Sequence, residues 1–140
     1  MEKQLTINDI NTGDRAEYSK TISEANVYGF ADITGDFNPL HVDEEYAKQT
    51  RFGARISHGA LLAGLVSTVV GMKLPGPGAL YASQSLSFLK PVFIGDTITA
   101  SAEVIRKIED RNRIVLKTRC INQHGDAVAE GESVLLPSKS

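Results

Sequence analysis

Ile56-Ser57-His58-Gly59-Ala60-Leu61-Leu62-Ala63-Gly64-Leu65-Val66-Ser67-Thr68-Val69-Val70-Gly71-Met72 is the stretch on which the fold turns. It carries no formal charge and is apolar on nearly every face, the pattern of a helix buried all round. At 1.5 Å per residue such a helix would be about 25 Å long. Lys73 to Gly78, with Pro75, Gly76, Pro77 and Gly78, stop it decisively. Its most apolar part, Gly59 to Met72, has 14 residues and includes Ser67 and Thr68, short of the roughly 20 that span a bilayer. The cover for this helix must therefore be protein, not lipid.

That cover is legible downstream. Alternation of apolar and polar residues through Leu80 to Leu89, Ile98 to Val104, Ile114 to Cys120 and Ala127 to Leu135 predicts four long strands. Turn residues at Gly95-Asp96, Asp110 to Asn112 and His124-Gly125-Asp126 separate them as an antiparallel meander. Upstream, Asp14 to Thr21 predicts a short strand, and Ser23 can cap a helix running through Tyr28 and Phe30 to about Thr34. Residues Thr34 to Val42 read as a loop, because Pro39 disfavours helical geometry at Asn38. Asp43 then caps a short helix that begins Glu44-Glu45-Tyr46-Ala47. The expectation is one α+β domain over residues 1–140, its curved sheet wrapped on the long helix. The exposed face of the sheet, or the edge of the helix, would favour a dimer.

Composition bounds the function. The chain has 140 residues, 41% hydrophobic and 23% charged, and its 17 acids against 15 bases give a net charge of −2. Scaling of accessible surface with mass gives roughly 22,000 Å² unfolded and roughly 7,000 Å² folded, enough for one core without disulfide or metal staples. No run of like charge marks a nucleic-acid or anionic-membrane partner. Cys120 is the single cysteine, so an internal disulfide is impossible. The opening Met1-Glu2-Lys3-Gln4-Leu5 lacks the apolar core of a signal peptide, and the reducing cytoplasm is the expected compartment.

Asp36 and His41 lie five apart in a segment held by Gly35 and Pro39. A carboxylate and an imidazole so placed suit general acid–base work, although Asp, Asn38 and Pro39 together are also ordinary turn chemistry. His58-Gly59 opens the apolar helix, where free N–H groups and the positive end of the dipole favour a negatively charged oxygen. Equally, His58 could simply cap and Gly59 simply allow close packing. Ser67 could donate a hydrogen bond to a ligand or bond its own backbone four residues back. His41-Val42-Asp43 with His58 or His124 has the residue types of a facial iron triad, but Asp43 already serves as an N-cap and His124 sits in a hairpin turn. Cys120, without a His or Asn partner, reads as a buried structural thiol. No phosphate loop or Cys-x-x-Cys metal pattern is present.

The run Phe30-Ala31-Asp32-Ile33-Thr34-Gly35-Asp36-Phe37-Asn38-Pro39-Leu40-His41, with Ala47 and Ile56-Ser57-His58-Gly59, resembles the hydratase-2 motif of MaoC-like, R-specific enoyl-CoA hydratases. Leu61 to Gly71, Pro75-Gly76, Gln84 to Phe88 and Pro91 to Asp96 extend the likeness over almost the whole chain, toward the short members associated with polyhydroxyalkanoate precursor supply. The resemblance implies a hot-dog fold, in a homodimer with sites near the subunit interface. It also implies that Asp36 and His41 are the catalytic pair, that Gly59 N–H binds the thioester oxygen, that Ser67 lies near that site and that Asn38 holds the loop. The implied reaction is reversible syn hydration of a trans-2-enoyl thioester to the R-3-hydroxyacyl thioester, with Asp36 as base, His41 as acid, or the roles exchanged. No metal or redox cofactor is called for, since the CoA or carrier-protein arm is substrate. Rival expectations are an acyl-carrier-protein dehydratase and a non-catalytic acyl-thioester binding module. A thioesterase on this fold is disfavoured because Ile56 to Met72 contains no Asp or Glu.

Overall fold

A computed structural model describes residues 4–139; Met1 to Lys3, part of the opening stretch on which the signal-peptide expectation rests, and Ser140 lie outside it. In chain order the elements are β1 (Arg15–Thr21), α1 (Glu24–Thr34), α2 (Pro39–Val42), α3 (Glu44–Lys48) and α4 (Gly59–Met72). They are followed by β2 (Leu80–Gln84), β3 (Ser87–Phe88), β4 (Thr97–Ile108), β5 (Arg113–Ile121) and β6 (Ala127–Leu136). Six strands form one antiparallel sheet in the order β1-β4-β5-β6-β2, with β3 also on β6. α4 packs across β1, β4 and β5, the helix-in-sheet arrangement expected of a hot-dog fold.

The two-residue period of the strands decides which side chains meet the helix. Ile98, Ala100, Ala102 and Val104 of β4 and Ile114, Leu116, Thr118 and Cys120 of β5 are wholly buried, and the alternate residues are partly or fully exposed except Val115, which is buried on the other face. Leu62, Leu65, Val66, Val69 and Val70 of α4 belong to the same core, together with Ile10, Ile22 and Val27. Burial raises the Cys120 thiol to about 11, so it stays protonated and inert near neutrality.

Four sequence expectations need correction. The long helix starts at Gly59, not Ile56, because Ile56 pairs in extended form with Phe93 and Ser57 N–H donates to Val92 C=O at 2.7 Å. It is not buried all round either: Ala60, Gly64, Ser67, Gly71 and Met72 leave one face uncovered. The segment Leu80 to Leu89 is two strands, not one, and it pairs with β6 across the sheet instead of joining β4, so the meander covers β4 to β6 alone. Thr34 to Val42 is not loop throughout, since Pro39 begins α2 with Asn38 as its cap. Proline suits the first position of a helix because its missing N–H would find no partner there.

The break between β2 and β3 has a steric cause. Ser85 N–H donates to Glu132 C=O at 2.8 Å, which presses the chain onto Gly131. A Cβ at Gly131 would fall 1.9 Å from the Ser85 carbonyl oxygen. Gly131→Ala is therefore expected to lower stability by about 1–3 kcal/mol, the usual range for forced backbone shifts in a packed site. Urea unfolding checks it; an alanine variant as stable as the parent would remove this account of the break.

Candidate active site

The site is built from a chain of side-chain caps. Gly35 ends α1 in the left-handed region, φ 84°, and Thr34 Oγ1 accepts the Asp36 N–H at 3.2 Å. Asp36 Oδ1 accepts the N–H of Asn38 at 3.2 Å, and Asn38 Oδ1 accepts that of Leu40 at 3.0 Å. Asp43 Oδ1 accepts the N–H of Tyr46 at 3.1 Å and so opens α3. Each polar residue turns the chain two or three positions ahead, and α2 presents His41 inward, 8% exposed, while Asp36 stays in water.

His41 Nδ1–H donates to the Ile56 carbonyl at 2.7 Å. A carbonyl only accepts, so in the neutral ring Nδ1 carries the proton and Nε2 carries a free lone pair. Burial holds the His41 pKa below its ordinary 6.5; the neighbouring His58 ring acts in the same direction, and the Ile56 carbonyl and Asp36 oppose them. The imidazole is thus kept neutral at neutral pH.

His58 departs from expectation. It stands before α4, but its side chain makes no cap bond; instead Nε2–H donates to the backbone carbonyl of Asp36 at 3.0 Å. Its ring, 2% exposed, lies 4.0 Å from that of His41 and 4.8 Å from that of Phe30, centroid to centroid. Ring nitrogens of both histidines and a carboxylate oxygen of Asp36 lie within 4.8 Å of one another.

Beside this cluster opens a cavity of about 360 Å³, lined by His41, Gly59 and the apolar Ile56, Leu62, Phe88, Leu89 and Val92, with Arg51 and Lys90 as its cations. Gly59 is the first residue of α4, where N–H groups have no acceptor within the helix. The Phe88 ring lies directly over it, so that a Cβ at Gly59 would meet the ring at 3.0 Å. The structure thus brings Asp36, His41 and Gly59 to one place, with the exposed Asn38 capping the helix that carries His41. Ser67 is elsewhere: it is exposed two turns along α4 and does not line the cavity, and it is Thr68 that bonds back to Gly64 C=O at 3.0 Å.

Three residues of metal-binding type meet here, yet not those of the His-x-Asp triad, because Asp43 is spent on its cap. The Asp36–His41–His58 set does have the residue types of a metal site, and donation from His58 Nε2–H to the Asp36 carbonyl leaves Nδ1 as the lone pair of that ring. Sequence gave no sign of Arg55. Its guanidinium, 12% exposed, donates to Glu24 Oε1 at 2.8 Å and Tyr28 Oη at 3.1 Å, and Tyr28 O–H donates to Val42 C=O at 3.3 Å. This braces α1 against the end of α2, and only the tertiary fold makes the three residues neighbours. A neutral imidazole and a carboxylate beside a free helix N-terminus can together activate one water and hold a developing oxyanion.

A family profile described as MaoC like domain matches residues 6–124. The chain is 46% identical over 132 residues to an (R)-specific enoyl-CoA hydratase of Rhodospirillum rubrum, covering 94% of this chain and 91% of that protein. Among solved structures it is similar to the unliganded R-hydratase PhaJ1 of Pseudomonas aeruginosa, with a TM-score of 0.94 and 37% identity over 98% of this chain and 88% of that one. It is also similar to the A. caviae (R)-hydratase involved in PHA biosynthesis, with a TM-score of 0.88 and 44% identity over 90% and 96% of the two chains.

The geometry at His41 is directly measurable. Long-range ¹H–¹⁵N spectra are expected to show its neutral form protonated at Nδ1 and its titration midpoint below 6.5. A midpoint at or above that value, or a neutral Nε2–H form, would contradict the assignment.

Proposed function

The chain belongs to the MaoC-like domain family, and from that membership we propose that it is an R-specific enoyl-CoA hydratase, a hydro-lyase that adds water reversibly to a trans-2-enoyl thioester. One observation carries the reading. The free Nε2 lone pair of a neutral His41 and the carboxylate of Asp36 stand together beside a cavity headed by Gly59.

Asp36 and His41 hold one water between them. His41 Nε2 takes a proton from that water as its oxygen bonds to C3, and the C2=C3 electrons move into the thioester carbonyl. Gly59 N–H hydrogen-bonds the resulting enolate oxygen, an effect worth roughly 3–4 kcal/mol for one preorganised donor. The imidazolium then returns a proton to C2 from the same side, so the addition is syn and His41 ends neutral. Asp36 accepts a hydrogen bond from the water's other hydrogen, which stays on the new hydroxyl group, and steadies the imidazolium charge. The sequence leaves open whether Asp36 or His41 is the base; the Nδ1–H bond to Ile56 favours His41, because a neutral ring with its proton at Nδ1 has none to give at Nε2 until it has taken one from the water, and the imidazolium so formed then serves as the acid in place of Asp36. The enzyme works without a metal or redox cofactor. Arg51 and Lys90 at the cavity provide positive charge for the phosphates of the CoA arm.

The working unit is a homodimer in a reducing, cytoplasmic compartment. Ile33 and Phe37, on either side of Asp36, are 84% and 56% exposed, and the uncovered stripe of α4 is made of small residues, Ala60, Gly64, Ser67 and Gly71, up to Met72 at its end. Apolar side chains so exposed around a reacting carboxylate call for cover by a second copy. No described helix is long and apolar enough to cross a membrane.

Loss of enoyl-thioester absorbance with crotonyl-CoA, followed in the presence of EDTA, tests the reaction. Asp36→Asn and His41→Gln are each expected to lower turnover ~10²- to 10⁴-fold with the fold intact. The product is expected to be the R alcohol, because one bound water and one oxyanion donor present a single face of the double bond; an S or racemic product on chiral chromatography would sink the assignment. For the dimer, light scattering after size exclusion should give twice the 15.1 kDa chain mass, and a monomer mass would remove that part of the proposal.

A further inference from the structure

We infer that His58 is the positioning residue that keeps Asp36, His41 and Gly59 in register; the inference rests on the hydratase reading above. Three separate links support it. Nε2–H of His58 donates to the Asp36 carbonyl, 22 residues away in sequence. Among the described residues this is the one hydrogen bond that ties residues 35–38 to any part of the chain beyond α1 and α2; the rest are local, to Ala31, Thr34, Leu40 and His41 or within the segment. The flat of the same ring lies 4.0 Å from His41, tilted 33°, with Phe30 holding it at 4.8 Å. Lastly, the peptide nitrogen of Gly59 belongs to the peptide bond that His58 itself forms, so fixing one fixes the other.

A purely space-filling role does not account for this residue. His58 Nδ1 is buried without any hydrogen-bond partner. An unsatisfied buried acceptor is destabilising, and an apolar ring of similar size would fill the same space without it. What histidine adds there is the Nε2–H, and its acceptor is the backbone of Asp36. The ring also limits the water that reaches His41. The groups that bear on His41 are Asp36 and His58, with Arg51 and Lys90 lining the adjoining cavity.

Glutamine and phenylalanine separate the hydrogen bond from the packing, because a glutamine amide can reach as far as Nε2 and donate, whereas phenylalanine keeps the ring and cannot. The experiment is steady-state hydration of crotonyl-CoA by the full-length protein, His58→Gln and His58→Phe between pH 5 and pH 9, with a thermal melt of each. His58→Phe is expected to melt normally and to lose about 10²-fold in kcat, the effect of a misplacement near 1 Å, with KM within about threefold. His58→Gln should recover at least about tenfold of that loss, since it restores the bond that fixes Asp36. In His58→Gln the acid limb of kcat/KM should move up toward 6.5, as water reaches His41 and the second imidazole is gone. A phenylalanine variant within threefold of wild type in kcat, or a glutamine variant no better than phenylalanine, overturns the inference. If His58→Phe does not fold, His58→Ala takes its place in the same comparison. Failure of the unsubstituted protein to hydrate crotonyl-CoA would instead bring down the hydratase reading.

Discussion

Burial of one side of α4 in the concave sheet sets the place of everything else at the site. Leu62, Leu65, Val66, Val69 and Val70 are at most 5% exposed. At roughly 1.5–3 kcal/mol for each large apolar side chain, their burial is worth on the order of 10 kcal/mol gross, an upper bound. A single helix cap contributes about 1 kcal/mol. The core therefore decides where the helix lies, and the caps only decide how the chain approaches it. With α4 seated, the N–H of Gly59 and the extended Ile56 to His58 that precedes it have little freedom left. Ile56 and Ser57 are further tied to Phe93 and Val92 in the segment before β4.

The caps then do something the core cannot. Between the end of α1 and the start of α3 there are nine residues with few buried apolar groups, and such a stretch would be mobile without local bonds. Asp36, Asn38 and Asp43 each accept an N–H two or three residues ahead, so the path is fixed by short-range geometry. Arg55 and Tyr28 tie the outer side of α2 to α1, and Ile56 holds the inner side through His41. His41 is thus gripped from two directions by groups with no part in the chemistry proposed for it.

How much of this the sequence discloses follows the range of the interaction involved. Ser23, Asp43 and the strand periods of β4, β5 and β6 act within a few residues, and they are legible at once. The ends of α4 are not equally so: Pro75 and Gly76 mark the stop, but Ile56 to His58 have helical composition and are drawn into extended form by Val92 and Phe93, more than 30 positions away. The split of Leu80 to Leu89 depends on Gly131, on another strand, and no local pattern announces it. Asp36, His41 and Gly59 could be named from residue type and motif. The bond from His58 to Asp36 and the brace at Arg55 could not, because both join residues that only folding brings together. Ser67 shows the converse, a residue suggested by likeness that in a single chain stands on the bare face of α4.

One loop thus holds two titratable groups in opposite surroundings. Five residues apart, Asp36 faces water and His41 is 8% exposed. Burial disfavours the charged form, and for an imidazole that means the neutral ring, with a lone pair able to accept a proton. An exposed carboxylate, by contrast, can accept hydrogen bonds from water and stand opposite a positive charge that forms beside it. Placing both groups in the dry region would raise the carboxylate toward its neutral form, and placing both in water would let the imidazole protonate over a wider range of pH. The segment from Gly35 to Val42 achieves the division because its cap bonds turn the chain at Asn38 and Pro39, between the two side chains. That turn, more than the identity of either residue, separates the two environments and with them the two roles proposed for these side chains.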